Sequence, residues 1–167
     1  MRAGVLVLSQ LLAFGAPHVA RTPHVALSPA LAARFDALPK PQSVDGAVKL
    51  ALDATAAQLH FGLQHRTSAS FDVAEREGNC IEYAELFAAI FNREKGALDA
   101  RAYAVHSAEA RVFGQQLRDP KYRDHDWALV VVHGSAGARR LFVDPTLYDE
   151  GLGWDISRAV VGPVTAP

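Results

Sequence analysis

Cysteine is almost missing: Cys80 is the only one among 167 residues. A single cysteine forbids an internal disulfide, a cysteine-rich zinc site and a CxxC redox pair. An excess of either charge is missing too, with 17 basic and 18 acidic side chains giving a formal net charge of −1. That balance leaves no electrostatic footprint for nucleic acid or for an acidic membrane surface. No apolar run is long enough to span a bilayer, so no stable membrane insertion is expected. There is no GxSxG, no HExxH and no glycine-rich phosphate loop, so those routes to a nucleophile, a metal or a nucleotide are closed. No repeat or low-complexity run is found. What is present is ordinary for a globular protein: half the residues are hydrophobic and a fifth are charged. The length suits one domain with a real core.

The first 20 residues read as a secretory leader. Arg2 supplies the positive start, and Val5, Leu6, Val7, Leu8, Leu11, Leu12 and Phe14 form the apolar stretch. Ala20 and Ala26 each close a Pro-His-Val-Ala tetrapeptide and mark possible cuts. The expected location is therefore secreted or periplasmic, with the cytoplasm as the alternative. Residues 21–44, with Pro23, Pro29, Pro39 and Pro41, read as a linker around a short helix near Ala30–Ala37. The domain proper is expected from 45 to 167. Val48, Leu52, Leu59 and Leu63 place a helix over Asp45–Leu63. Arg66 to Gly78 reads as a loop with a helical piece at Asp72–Glu77.

The lone cysteine lies in Gly78-Asn79-Cys80-Ile81-Glu82-Tyr83-Ala84. Asn79 is a good N-cap and Glu82 stands at the capping-box spacing. Ile81, Ala84, Phe87, Ala88 and Phe91 keep helical spacing up to Lys95, and Gly96 suits the stop. Cys80 is thus expected as the first residue of a helix, where unpaired N–H groups and the helix dipole favour thiolate. A lone cysteine is also a common core residue, so this placement alone decides nothing.

Beyond Gly96, Ala100 to Val105 alternates as a strand, and His106 to Asp124 reads as a long mixed loop. Trp127 to His133 is a strong strand, Gly134 to Gly137 a hairpin connection, and Arg139 to Val143 the returning strand, ended by Pro145. If the turn is centred between Ser135 and Ala136, Trp127 faces Asp144 across the ladder. His125 then becomes a diagonal neighbour of Asp144 on the same sheet face, about 7–8 Å away at Cα. A carboxylate so placed can orient an imidazole. A metal reading of Asp124, His125, Asp126 and His133 fails, since the two histidines stand roughly 26 Å apart along one strand. No metal or cofactor is expected. The role of residues 148–167 is not legible.

Three stretches in this order resemble the transglutaminase-like superfamily: Gly78-Asn79-Cys80-Ile81-Glu82-Tyr83-Ala84, His125-Asp126-Trp127 and Val143-Asp144-Pro145-Thr146. Lys95 to Arg101 is similar to the family's Gly-Ile-Pro-Ala-Arg segment, with Asp99 in place of the proline, and Phe142 stands where tryptophan often precedes Val-Asp-Pro. The resemblance implies an α+β, papain-like fold with the nucleophile helix packed on an antiparallel sheet. It implies Cys80 as nucleophile, His125 as general base and acid, and Asp144 as orienter, acting on a protein or peptide substrate. The backbone N–H of Cys80 is a natural oxyanion donor. Trp127 and His60, with Gln58 and Gln64, are further candidates for substrate or oxyanion contact. Hydrolysis is favoured over crosslinking, because no feature provides a site where an amine outcompetes water. Two other readings are a non-catalytic binding module on the same fold and an acetyl-CoA-dependent N-acetyltransferase, which usually needs a longer chain.

Overall fold

The computed structural model describes residues 12–62, 70–71, 76–119, 123–135 and 137–165. In chain order they form β1 (Leu12–Arg21), β2 (Ala26–Leu27), α1 (Pro29–Asp36), α2 (Val44–Ala56), β3 (Leu59–Phe61), β4 (Ser70–Phe71), β5 (Arg76–Gly78) and α3 (Cys80–Glu94). There follow β6 (Ala100–Val112), β7 (Gln115–Gln116), β8 (His125–Gly134), β9 (Gly137–Val143), α4 (Pro145–Asp149), β10 (Val160–Val161) and β11 (Val164–Thr165). The main sheet runs β10-β1-β6-β8-β9, with β11 also on β1 and β7 on β6. It is mostly antiparallel; β10 and β11 lie parallel to β1. The fold is therefore mixed α/β. Among the described residues no helix is long and apolar enough to cross a membrane.

The alternation in β6 and β8 divides the core in two. Ala100, Ala102, Ala128 and Val130 face the helices and pack with Leu86, Phe87, Ile90 and Phe91 of α3 and Leu52 of α2. Small side chains on the sheet let α3 lie close to it. Val105, Trp127 and Leu129 face the other way and are covered by Phe14, Ile156, Ala159 and Val164. Burial on both sides explains why β8 reads as a nearly continuous apolar run. Phe87 is wholly buried, and truncating it to alanine is expected to cost about 3–5 kcal/mol. Asn92 pins α3 to the sheet: its amide donates to Ala102 O at 2.8 Å and accepts from Ala102 N at 2.9 Å. β1 pairs with β6 only as far as Arg21 opposite Ala104, so Asn92 satisfies the edge that β1 leaves open.

Three expectations need correction. The helix expected over Asp45–Leu63 ends at Ala56, and Leu59–Phe61 is instead a strand parallel to Arg76–Gly78. Ladder pairing and burial of Leu59 outweigh the helical spacing there. The loop expected from His106 is strand as far as Val112, because β1 and β8 pair with β6 on both sides. The domain does not begin near residue 45. β1, with residues 12–20 expected in a leader and Arg21 in the linker, runs through the sheet between β6 and β10, and Leu31 and Phe35 of α1 enter the core from the expected linker. Residues 1–11 and most of the expected helical piece at 72–77 lie outside the described residues.

A cut after Ala20 or Ala26 would take β1 away, unpairing β6 along one edge and removing Phe14 from the core. A chain lacking residues 1–21 should therefore lose cooperative thermal unfolding, followed by circular dichroism. An unchanged melting curve would show that β1 is dispensable.

Candidate active site

The site begins at a close approach. At Gly78 a Cβ would meet Glu82 Cβ at 3.2 Å and Leu59 Cδ2 at 3.3 Å. Glycine lets β5 pass tightly over the first turn of α3. Asn79 is then the N-cap, and Cys80 the first helical residue. The capping box is complete: Asn79 Oδ1 accepts from Ile81 N at 3.0 Å, and Glu82 accepts from Asn79 N at 2.9 Å. Among the described residues, no acceptor is assigned to the N–H of Cys80. That N–H points with the positive end of the helix dipole toward the thiol's surroundings. The thiol is partly exposed.

The hairpin brings the other two residues. Gly134 pairs with Gly137, and the ladder runs down to Ala128 opposite Val143. Asp144 is the next residue after that last pair, so the ladder has the register that the sequence predicts. Asp144 is wholly buried and divides its two oxygens. Oδ1 accepts from Thr146 N at 3.0 Å and Leu147 N at 3.1 Å, so Asp144 is the N-cap of α4. Oδ2 pairs with His125 Nε2 at 2.6 Å. The carboxylate is thus fixed by backbone amides while it fixes the imidazole. Nε2 being taken, Nδ1 remains, and the Cys80 sulfur is among the groups that act on the ring. Burial alone would disfavour the charged imidazole. The charge and hydrogen bond of Asp144, together with the Cys80 sulfur, outweigh that and hold His125 well above its ordinary value. A thiol, an imidazole that can take its proton and a carboxylate bonded to that imidazole are thus brought together.

Other expected site residues fall differently. Trp127 is fully buried on the sheet, and its indole N–H donates to Ser107 Oγ at 2.7 Å. Its bulk in the motif serves the core. His60 is exposed on β3, opposite Glu77 and one row from Gly78. Gln58 is buried, and Gln64 lies outside the described residues. Among the described residues, no group of three or more His, Cys, Asp or Glu is placed to hold a metal.

Two supports are absent from the sequence reading. Phe14 of β1 stacks on His125, with ring centroids 4.7 Å apart and 15° between planes. Nothing in the local pattern signals this, since the two are over a hundred residues apart in the chain. Arg21, at the end of β1, bridges α3, the helix that Cys80 opens, to β8, the strand that His125 opens. It donates to Glu85 Oε1 at 2.9 Å and to Asp126 Oδ2 at 2.7 Å, and both carboxylates are buried. His106 pairs with the other oxygen of Asp126 at 2.6 Å, and His24 lies 3.1 Å from Glu85. Burial pushes Asp126 up, but His106 and Arg21 pull it below its usual value. The hydrogen bond to Asp126 holds His106 above its usual value. The Asp-Pro-Thr sequence did carry a signal for the cap on α4, since an acidic N-cap before proline is a known helix start.

No protein-family model, curated protein or solved structure matches this chain.

Arg21→Gln would leave two buried carboxylates without their shared cation. The expected loss is about 2–3 kcal/mol in urea unfolding, less than for a wholly buried pair because Arg21 keeps 34% of its side chain exposed. A loss under about 0.5 kcal/mol would show that the bridge does not hold the elements together. The pH dependence has two arms. Asp126, lowered by folding, stabilises above the ordinary carboxylate range, and that share is lost as acid protonates it. His106, raised by folding, stabilises fully below about pH 6.5, and its share is lost as pH rises through the folded value. His106→Gln should therefore lose most, relative to wild type, in mild acid and converge with it in base.

Proposed function

We propose that this protein is a thiol-dependent acyl-transfer enzyme of the transglutaminase-like kind, acting on peptide or glutamine side-chain amides, with hydrolysis as the main outcome. The observation that carries this reading is the His125 Nε2–Asp144 Oδ2 bond at 2.6 Å, on an imidazole that the Cys80 thiol, at a helix start, helps to hold in its charged form. On this reading the mixed α/β architecture is a papain-like core. His125 Nδ1 takes the Cys80 proton, and the thiolate attacks the amide carbonyl. The oxyanion sits at the N–H of Cys80, with His60 on the neighbouring β3 as the proposed second donor. The C–N bond breaks, and the imidazolium gives its proton to the departing amine or ammonia. Water then attacks the thioester, losing a proton to His125, and the acid leaves Cys80 as the thiol is restored.

A panel of casein and glutamine peptides, with and without a primary amine, tests this directly. Ammonia or new peptide termini should appear, with little amine incorporated. Cys80→Ala should abolish turnover, and Asp144→Asn should lower kcat by about 10²–10⁴ through mispositioned imidazole. No turnover on any substrate, with Cys80→Ala indistinguishable from wild type, would sink the proposal.

The ion pair has its own readout. Iodoacetamide should alkylate Cys80 faster in the wild type than after His125→Ala, because the imidazole takes the thiol proton. Rates should fall from wild type to Asp144→Asn to His125→Ala. A flat series would mean that Cys80 is a structural residue.

A further inference from the structure

We infer that Phe14, carried in from the first strand of the sheet, is a positioning residue for the His125 imidazole. The inference rests on the acyl-transfer reading for its catalytic meaning, but its geometry stands on its own. The two rings lie 4.7 Å apart and 15° from parallel. That is a stack, in which one face of the imidazole is covered by an aromatic face. Phe14 belongs to the core cluster on the sheet face away from the helices, and His125 lies two residues before Trp127 of that cluster on β8. Ser107 of β6 lies in the same row as His18 of β1 and His125 of β8. Phe14 itself stands opposite Ala110 of β6, three residues along that strand from Ser107.

Three consequences follow from the cover. The Asp144 bond at Nε2 already fixes one atom of the ring, but the ring could still turn about the axis through that bond. The flat contact with Phe14 opposes that turn and keeps Nδ1 on the Cys80 side. Phe14 is only 3% exposed, so it also keeps water off that side of the imidazole. Finally, an aromatic face within about 6 Å favours a cation over a neutral ring. Phe14 thus adds to Asp144 and Cys80 in holding the imidazolium form.

The groups facing this imidazole can be named from each element around it. Asp144 comes from the turn into α4 and Cys80 from α3. From β1 come the uncharged Phe14 and, beyond Ser107 in the same row, the buried His18, whose ring nitrogens are hydrogen-bonded to Ser107 Oγ and Val161 O; from β6 comes the uncharged Ser107. His106, Asp126 and Arg21 form their own bonded group beside Glu85. Exchange of Phe14 for an aliphatic residue therefore removes ring cover without removing a charge.

The test uses the full chain and three variants: Phe14→Leu, Phe14→Tyr and Val105→Ala. Leucine keeps an apolar filler and drops the aromatic face; tyrosine keeps the face. Val105 lies in the same core cluster, so its truncation reports loss of packing alone. The His125 ring is titrated by NMR, and where turnover is found, the basic limb of kcat/KM is recorded. Loss of the π face disfavours the imidazolium, so in Phe14→Leu both should move to lower pH by about half a unit to one unit. Phe14→Tyr should restore the wild-type value, and Val105→Ala should lower stability without moving it. An unmoved titration in Phe14→Leu, or an equal shift in Val105→Ala, would overturn the inference. If the wild type turns over no substrate but the NMR shift is present, the catalytic reading falls and the stack on His125 stands.

Discussion

The register of the β8–β9 hairpin is the constraint on which the site depends. Gly134 opposite Gly137 fixes every later pair down to Ala128 opposite Val143. A slip of one residue would turn Asp144 to the other face of the sheet, away from His125. Gly137 has φ +110, a conformation that suits glycine and that lets the chain reverse in so short a connection. The far end of the same ladder is then held by α4. Thr146 and Leu147 donate their N–H groups to Asp144, and Asp144 N donates to Trp154 O at 2.8 Å. The aspartate is fixed from three sides before it meets the imidazole.

The helix that begins at Cys80 is oriented from the opposite direction. Its start is set by the capping box and by the close passage of Gly78, and its middle by the aromatic and aliphatic stripe against the sheet. Arg21 then joins Glu85 on the helix to Asp126, the neighbour of His125. Burying two carboxylates costs more than an isolated surface pair could return, and the cation between them offsets that cost only while the geometry holds. Such a bridge fixes relative placement more than it adds stability. It supports the reading in which a sulfur and an imidazole must be kept in contact.

The N-terminal strand has an importance out of proportion to its look in the sequence. Its apolar run is what a leader also needs, and both uses demand the same residue types. In the fold those residues lie between β6 and β10, and two of them, Phe14 and Arg21, reach the neighbourhood of His125. Pro17 is accommodated where the register with β6 shifts, between Gly15 and His18, so a proline does not exclude a strand there.

Local chemistry is what the sequence by itself determined. Asn79 and Glu82 set the start of a helix at Cys80, the stripe from Ile81 to Phe91 set its buried face, and the two glycines of the hairpin set the row of Asp144. Each of these depends on residues within a few positions of one another, or on a ladder counted from a short turn. The tertiary structure decided the rest. Leu59 became strand because β5 offered it a partner, Trp127 was drawn into the core because Ser107 could accept its N–H, and Phe14 reached His125 across a strand. Those outcomes turn on contacts between segments far apart in the chain, and periodicity within one segment carries no record of what the other side presents.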